Sequence, residues 1–96
     1  MKNKLKLILW GKKLQLPEDY DELEFDDYIL ENDNEYGYKL NIYKNNKKIK
    51  EIWYWKSGNK IHEYNYKNGE YNEKQYGWFD DGKLNYEFNY KNGKQI

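Results

Sequence analysis

The pentapeptide Asn-Tyr-Lys-Asn-Gly occurs twice, at residues 65–69 and again at 89–93, twenty-four positions apart in a chain of 96. Its surroundings repeat with it. Tyr64 answers to Phe88, Glu63 to Glu87, Gly58 to Gly82, Trp55 to Phe79 and Lys56 to Asp80. A fixed period of a few tens of residues is the mark of one supersecondary unit stacked on copies of itself. The second half of the chain is therefore expected to be a repeat array.

The unit reads as strands. Asn-Gly and Asp-Gly between aromatic runs are hairpin signals, because the turn positions need positive φ and Asn, Asp and Gly tolerate it. The pairs are Asn45-Asn46, Ser57-Gly58, Asn68-Gly69, Asp81-Gly82 and Asn92-Gly93, with second residues 12, 11, 13 and 11 positions apart. Between them Tyr64/Tyr66 and Tyr86/Phe88/Tyr90 alternate with Asn65, Glu87 and Asn89. A period of two places a file of rings on one sheet face. The candidate face is Trp53, Trp55, Tyr64, Tyr66, Trp78, Phe88 and Tyr90.

This pattern resembles the MORN-type repeat in its bacterial variant form, over roughly residues 47–96. The residues that carry it are Gly77-Trp78-Phe79-Asp80-Asp81-Gly82-Lys83-Leu84 and Tyr86-Glu87-Phe88-Asn89-Tyr90-Lys91-Asn92-Gly93-Lys94. The earlier copy has Trp53 in place of Gly77 and reads as carrying an extra residue, Asn59 or Lys60, after its turn. Bacterial proteins with such repeats include antitoxin and immunity proteins, and the better-known MORN repeats are protein- or lipid-binding scaffolds. The resemblance implies binding, not catalysis.

Upstream, Lys4-Leu5-Lys6-Leu7-Ile8-Leu9-Trp10 puts Leu5, Leu7 and Leu9 on one side and reads as a strand turned by Gly11-Lys12 into residues 13–16. As a membrane span the run has about half the required ~20 residues, and no small-residue cleavage site follows. Pro17 with Glu18, Asp19 and Glu22 suggests one short helical turn near residues 17–23. Tyr28-Ile29-Leu30 then reads as a strand, Asn32-Asp33-Asn34 as a turn, and residues 36–43 as its return. The expected fold is mainly β, a curved antiparallel meander with at most one short helix near 17–23. It forms a single domain, with residues 1–46 as N-terminal hairpins and 47–96 as two hairpin repeats.

Charge is segregated. Ten carboxylates and no lysine lie between residues 18 and 35: Glu18, Asp19, Asp21, Glu22, Glu24, Asp26, Asp27, Glu31, Asp33 and Glu35. They offset five lysines in residues 1–13 and an excess of five positive charges in 39–96, so the chain is neutral. Such a run is usually a solvated face. Its functional reading is a surface that docks on a basic cleft, where charge complementarity speeds association and selects the partner. Ala, Val, Thr, Arg and Cys are absent while Lys, Asn, Tyr, Glu and Ile abound, a skew that points to an AT-rich bacterial or phage genome. Without cysteine there is no disulfide or thiolate site, and a reducing cytoplasm is expected.

Neither a phosphate loop nor paired metal-ligand spacing is present, and His62, the only histidine, falls at the place of Tyr86 in the repeat. No catalytic residue, metal or cofactor is expected. The sequence reading is a stoichiometric protein-binding inhibitor of a nucleic-acid-processing enzyme, either an immunity or antitoxin protein or a phage anti-defence protein of the anti-CRISPR kind. The rival reading is a single-stranded nucleic-acid binder that stacks bases on the aromatic–lysine face. After Asn92-Gly93 only Lys94-Gln95-Ile96 follow, so the preceding strand is expected to be an open edge on which a second copy or the target adds a strand.

Overall fold

The computed structural model describes residues 2–33 and 35–96. One helix, α1 (Lys2–Gly11), precedes an open antiparallel sheet. Its strands are β1 (Asp27–Asn32), β2 (Gly37–Lys44), β3 (Lys47–Trp55), β4 (Lys60–Lys67), β5 (Glu70–Tyr71), β6 (Glu73–Trp78), β7 (Leu84–Lys91) and β8 (Lys94–Gln95). They lie in the order β1-β2-β3-β4-β6-β7-β8, with β5 beside the end of β4. The mainly-β meander expected from the sequence is the fold found.

The helix stands elsewhere than expected. Residues 4–10 form α1 rather than a strand, because Leu5 and Leu9, four apart, fall on one helical face and are both fully buried. Leu7, which an alternating strand would bury with them, is 68% exposed. The helix closes in a Schellman motif: Leu14 N–H donates to the Leu9 carbonyl (2.8 Å) and Lys13 N–H to that of Trp10 (3.0 Å), with Lys13 at φ +59°. Residues 17–23 make successive tight turns rather than a helix, with N–H groups of Tyr20, Glu22 and Leu23 bonded to carbonyls three residues back.

Helix and turns together cover one face of the first four strands. Leu5, Leu9, Leu14, Tyr20 and Leu23 pack with Leu40, Ile42, Ile52 and Tyr54 to form the core. Tyr38, Leu40 and Ile42 share the inner face of β2, as the alternation predicts. Tyr28 pairs with Ile42 and Leu30 with Leu40, which sets β1 in register. Of the turn at residues 32–34, Asn34 lies outside the described residues. Asp33 Oδ1 accepts the N–H groups of Glu35 (2.8 Å) and Tyr36 (3.3 Å).

The 24-residue period is written into the backbone. Trp55 N–H donates to the Asn59 carbonyl (2.8 Å) and Gly58 N–H to that of Trp55 (2.9 Å). Phe79 with Lys83 (2.9 Å) and Gly82 with Phe79 (3.0 Å) repeat both bonds. This is a type I turn followed by a left-handed glycine. Asn68-Gly69 and Asn92-Gly93 are two-residue turns with positive φ at both positions, as is Asn45-Asn46. The ladder slips between Trp53/Tyr54 against His62 and Lys60, and between Gly77/Trp78 against Tyr86 and Leu84. The two copies thus match position for position, and the earlier one carries no inserted residue.

Between the copies the ladder is thin. The return strand detours at Asn72 and Glu73, the latter at φ +66°, so β4 and β6 share only the pairs His62/Gly77 and Glu63/Tyr76. The buried Gln75 side chain fills the gap. Its Oε1 accepts from Asn65 N–H and its Nε2 donates to the Asn65 carbonyl, both at 2.9 Å. A side-chain amide here does the work of a backbone one.

Candidate functional site

The inner face carries a buried charge cluster where β3, β4 and the acidic segment meet. Lys50 and Lys60 each place an ammonium 2.9 Å from one oxygen of Glu63. All three side chains are 5% exposed or less. Glu18 N–H donates to both Glu63 oxygens (3.1 Å), and the Glu18 carboxylate sits 3.2 Å from Lys60. Asp19 Oδ1 lies 3.0 Å from Lys50 but off the hydrogen-bond axis, so this contact is an ion pair only. Lys50 also donates to Asn65 Oδ1 (2.7 Å). Buried Pro17 leads the chain into this clasp. Buried charges persist only when paired and bonded, and here each is.

The acidic segment is therefore not one surface. Glu18 and Asp19 are clasp residues. Glu24 pairs with Lys44 (3.3 Å), Asp26 accepts Asn45 N–H (2.9 Å), Asp27 accepts Tyr28 N–H (2.8 Å), and Asp33 holds the β1–β2 turn. The carboxylates of Asp21, Glu22, Glu31 and Glu35 are exposed and make no ion pair among the described residues.

Beside the clasp, a cleft of about 790 Å³ separates Glu18, Asp19 and Glu22 from Lys74, Tyr76 and Asn89 of the second copy. Burial, and then the carboxylates of Glu87, Glu63, Glu18 and Asp19, push the Tyr76 hydroxyl up to about 12. It remains a neutral donor in the cleft.

The outer face carries the aromatic file. Tyr36 stacks on Trp53 (5.0 Å, 17°) and His62 on Tyr64 (5.1 Å, 16°). Tyr64 reaches Tyr71 (5.5 Å), which touches both Tyr66 (5.2 Å) and Tyr90 (5.3 Å). Tyr86 stacks on Phe88 (5.4 Å, 25°). Tyr86 donates or accepts through its hydroxyl with His62 Nδ1 (2.9 Å) and Tyr64 Oη (3.0 Å), its ring lying where a side chain at Gly77 would stand. This explains glycine at a position where the earlier copy has Trp53. Beneath the file, Glu51 is held by Lys48 (2.7 Å), Trp53 Nε1 (2.8 Å) and Lys39 (3.7 Å). Burial alone would raise the Glu51 carboxyl, but those bonds and charges outweigh it and hold it low.

Two expected members do not join this file. Trp78 pairs with Leu84 beyond the ladder slip and lies on the inner face, stacked on Tyr76 (5.4 Å) with the Lys60 ammonium 4.6 Å over its ring. Trp55 makes no ring pair among the described residues, and its buried indole N–H has no partner. Conversely Tyr36, His62 and Tyr71 belong to the file though the sequence reading left them out. Tyr86, which the alternation with Phe88 and Tyr90 put there, joins it as expected. The period held the signal for His62, since His62 and Tyr86 are equivalent positions.

Among the described residues no group of three or more His, Asp or Glu side chains is arranged to hold a metal ion. No helix among them is long and apolar enough to cross a membrane. His62 and Glu63 point to opposite faces. Burial depresses the His62 imidazole below its ordinary value, against the pull of Glu51, so the ring is neutral at pH 7. The unfolded chain then binds a proton more readily than the folded one, and stability is fully present above about pH 6.5 and falls as acid is added. The slope stays under about 1.4 kcal/mol per pH unit and is reduced by solvent at this half-exposed ring. Denaturant melts at pH 7.5 and 5.5 should show it, and His62→Phe should remove that share.

Comparison of the chain with protein-family models, curated proteins and solved structures returned no match.

Proposed function

We propose that the protein is a non-enzymatic, stoichiometric binding protein that neutralises a partner enzyme. The observation that carries this reading is the bare second copy of the repeat. β7 buries no side chain, and Phe79, Leu84 and Phe88 stand 51%, 52% and 42% exposed around it. Leu84 lies on the inner face across from Trp78 and Phe88 on the outer face against Tyr86, so both faces of this copy are bare. A small sheet needs its apolar side chains covered to be stable on its own, and exposed apolar side chains concentrated on one unit mark a docking surface. A partner supplies the missing layer. The free carboxylates of Asp21, Glu22, Glu31 and Glu35 favour a partner with a basic groove, such as a nuclease, since they steer one charge sign and reject the other.

The aromatic file supports single-stranded nucleic-acid binding less well. Tyr36 and Trp53, His62 and Tyr64, and Tyr86 and Phe88 have already spent a ring face on each other. A base needs a free face. Lys39 and Lys48 beside them are held by Glu51.

The test is affinity capture from the native host, then titration of the captured enzyme's activity with purified protein. Activity should fall linearly to an end point at a fixed molar ratio. Phe88→Lys should weaken inhibition at least tenfold. Reversing Asp21, Glu22, Glu31 and Glu35 to Lys should slow association, most at low salt, where screening is least. An enzyme unaffected by molar excess of the protein would overturn the reading.

A further inference from the structure

The charge cluster of the first copy recurs, uncovered, in the second. Twenty-four residues beyond Lys50, Glu63 and Asn65 stand Lys74, Glu87 and Asn89, on the same inner face. Lys50 meets Glu63 at 2.9 Å and Lys74 meets Glu87 at 3.5 Å, so the ion pair itself is repeated. What differs is the cover. The side chains of the first pair are 1% exposed and those of the second 52% and 36%. Residues 17–19 lie over the first, with Glu18 N–H on Glu63 and the Asp19 carboxylate against Lys50. No such segment lies over the second: Lys74 and Asn89 line the far wall of the open cleft, whose near wall is the clasp itself, and Glu87 stands exposed beside them.

We propose that Lys74, Glu87 and Asn89 bind an acidic peptide segment of a partner protein, in the manner in which residues 17–19 occupy the first copy. One substitution refines what that segment contains. Lys60, which takes the Glu18 carboxylate, is replaced in the second copy by the exposed Leu84. A carboxylate there would be desolvated with nothing to pair with. The segment therefore carries an apolar residue followed by Asp: the Asp carboxylate meets Lys74, its neighbour's N–H donates to Glu87, and the apolar side chain covers Leu84. The charge balance agrees. Glu18, Asp19 and Glu63 against Lys50 and Lys60 leave one negative charge, and one Asp added to the Lys74–Glu87 pair leaves the same.

This inference rests on the second copy being a docking surface, and its test needs no enzyme. The isotope-labelled protein is titrated with the blocked synthetic peptide Leu-Pro-Leu-Asp-Tyr while backbone amide NMR signals are followed. Saturable shifts are expected at Lys74, Tyr76, Glu87 and Asn89. Binding should weaken at least tenfold when Asn replaces Asp in the peptide, and equally in Lys74→Glu, whose exposed site leaves the fold intact in the same spectra. Leu84→Lys should reverse the preference tenfold toward Leu-Pro-Glu-Asp-Tyr. The proposal is overturned if shifts do not saturate at millimolar peptide, if they centre on Lys50 and Glu63, or if Lys74→Glu binds as well. Inhibition of a captured enzyme by a Lys74→Glu protein that binds no peptide would keep the docking surface and discard this site.

Discussion

Glu63→Gln should destabilise the protein by about 3–5 kcal/mol, the range for breaking a buried ion pair by removing one partner. The substitution keeps the shape of the side chain and one acceptor for Glu18 N–H. It leaves the ammonium groups of Lys50 and Lys60 in a site where their own side chains are 1% and 5% exposed. Their remaining carboxylates, Asp19 and Glu18, are half in solvent and compensate only in part. For a 96-residue domain the loss is a large part of a total stability of about 5–15 kcal/mol. Replacing the whole cluster at once, Lys50→Met with Glu63→Leu and Lys60→Met, should recover most of it, because apolar groups of similar volume are about as stable as a buried ion cluster. Urea melts measure both. A Glu63→Gln protein within 1 kcal/mol of the parent would show that the clasp does not hold the acidic segment down.

Gly58→Ala should cost about 2–5 kcal/mol, the sum of a left-handed backbone penalty and an overpacking penalty. Gly58 sits at φ +98°, and a Cβ there would overlap the Lys13 carbonyl oxygen. That oxygen belongs to the residue closing α1, and Gln15 N–H bonds back to the Gly58 carbonyl (3.0 Å). Moving the turn also disturbs Lys60 N–H on Gln15 Oε1 (2.9 Å) and Tyr54 Oη on the Gln15 carbonyl (2.7 Å). Gly69 and Gly82 are the controls. Both have positive φ and open space where a Cβ would stand, so alanine there should cost only about 1 kcal/mol. Equal losses at all three positions in the same melts would mean that the helix is not moored to this turn.

The turns were legible because their chemistry is local. Asn68-Gly69 and Asn92-Gly93 adopt the positive φ pair that Asn-Gly prescribes, and the period located the rest of the ladder. The period also held the face of Trp78, which answers to Tyr54 and not to Trp53. Alternation alone misled, because a ladder slip intervenes between Tyr86 and Leu84. The N-terminal element could not be read the same way. Leu5 and Leu9 fit a strand and a helix equally, and the choice falls to the sheet, whose apolar inner face needs a layer over it. The clasp was least legible. Lys50, Lys60 and Glu63 look like surface residues in a strand, and only a segment some forty residues upstream buries them. The one trace in the sequence is the recurrence of Lys50, Glu63 and Asn65, spaced alike, as Lys74, Glu87 and Asn89; Lys60 leaves none, since Leu84 stands at its place.

The Gln75 amide at the joint between the copies has a consequence for how alignment passes along the sheet. In an ordinary ladder each strand templates the next, and a one-residue slip turns every later side chain over. Here the backbone ladder joins the first copy to the second through two residue pairs. The remaining contacts are made by side chains, the Gln75 amide within and the Tyr86 hydroxyl on His62 and Tyr64 without, whose rotatable stems do not transmit phase. Each copy must find its own alignment from its own turns. A residue gained or lost at Asn72 or Glu73 would be absorbed in the detour, leaving Lys74, Glu87 and Asn89 on the face they now occupy.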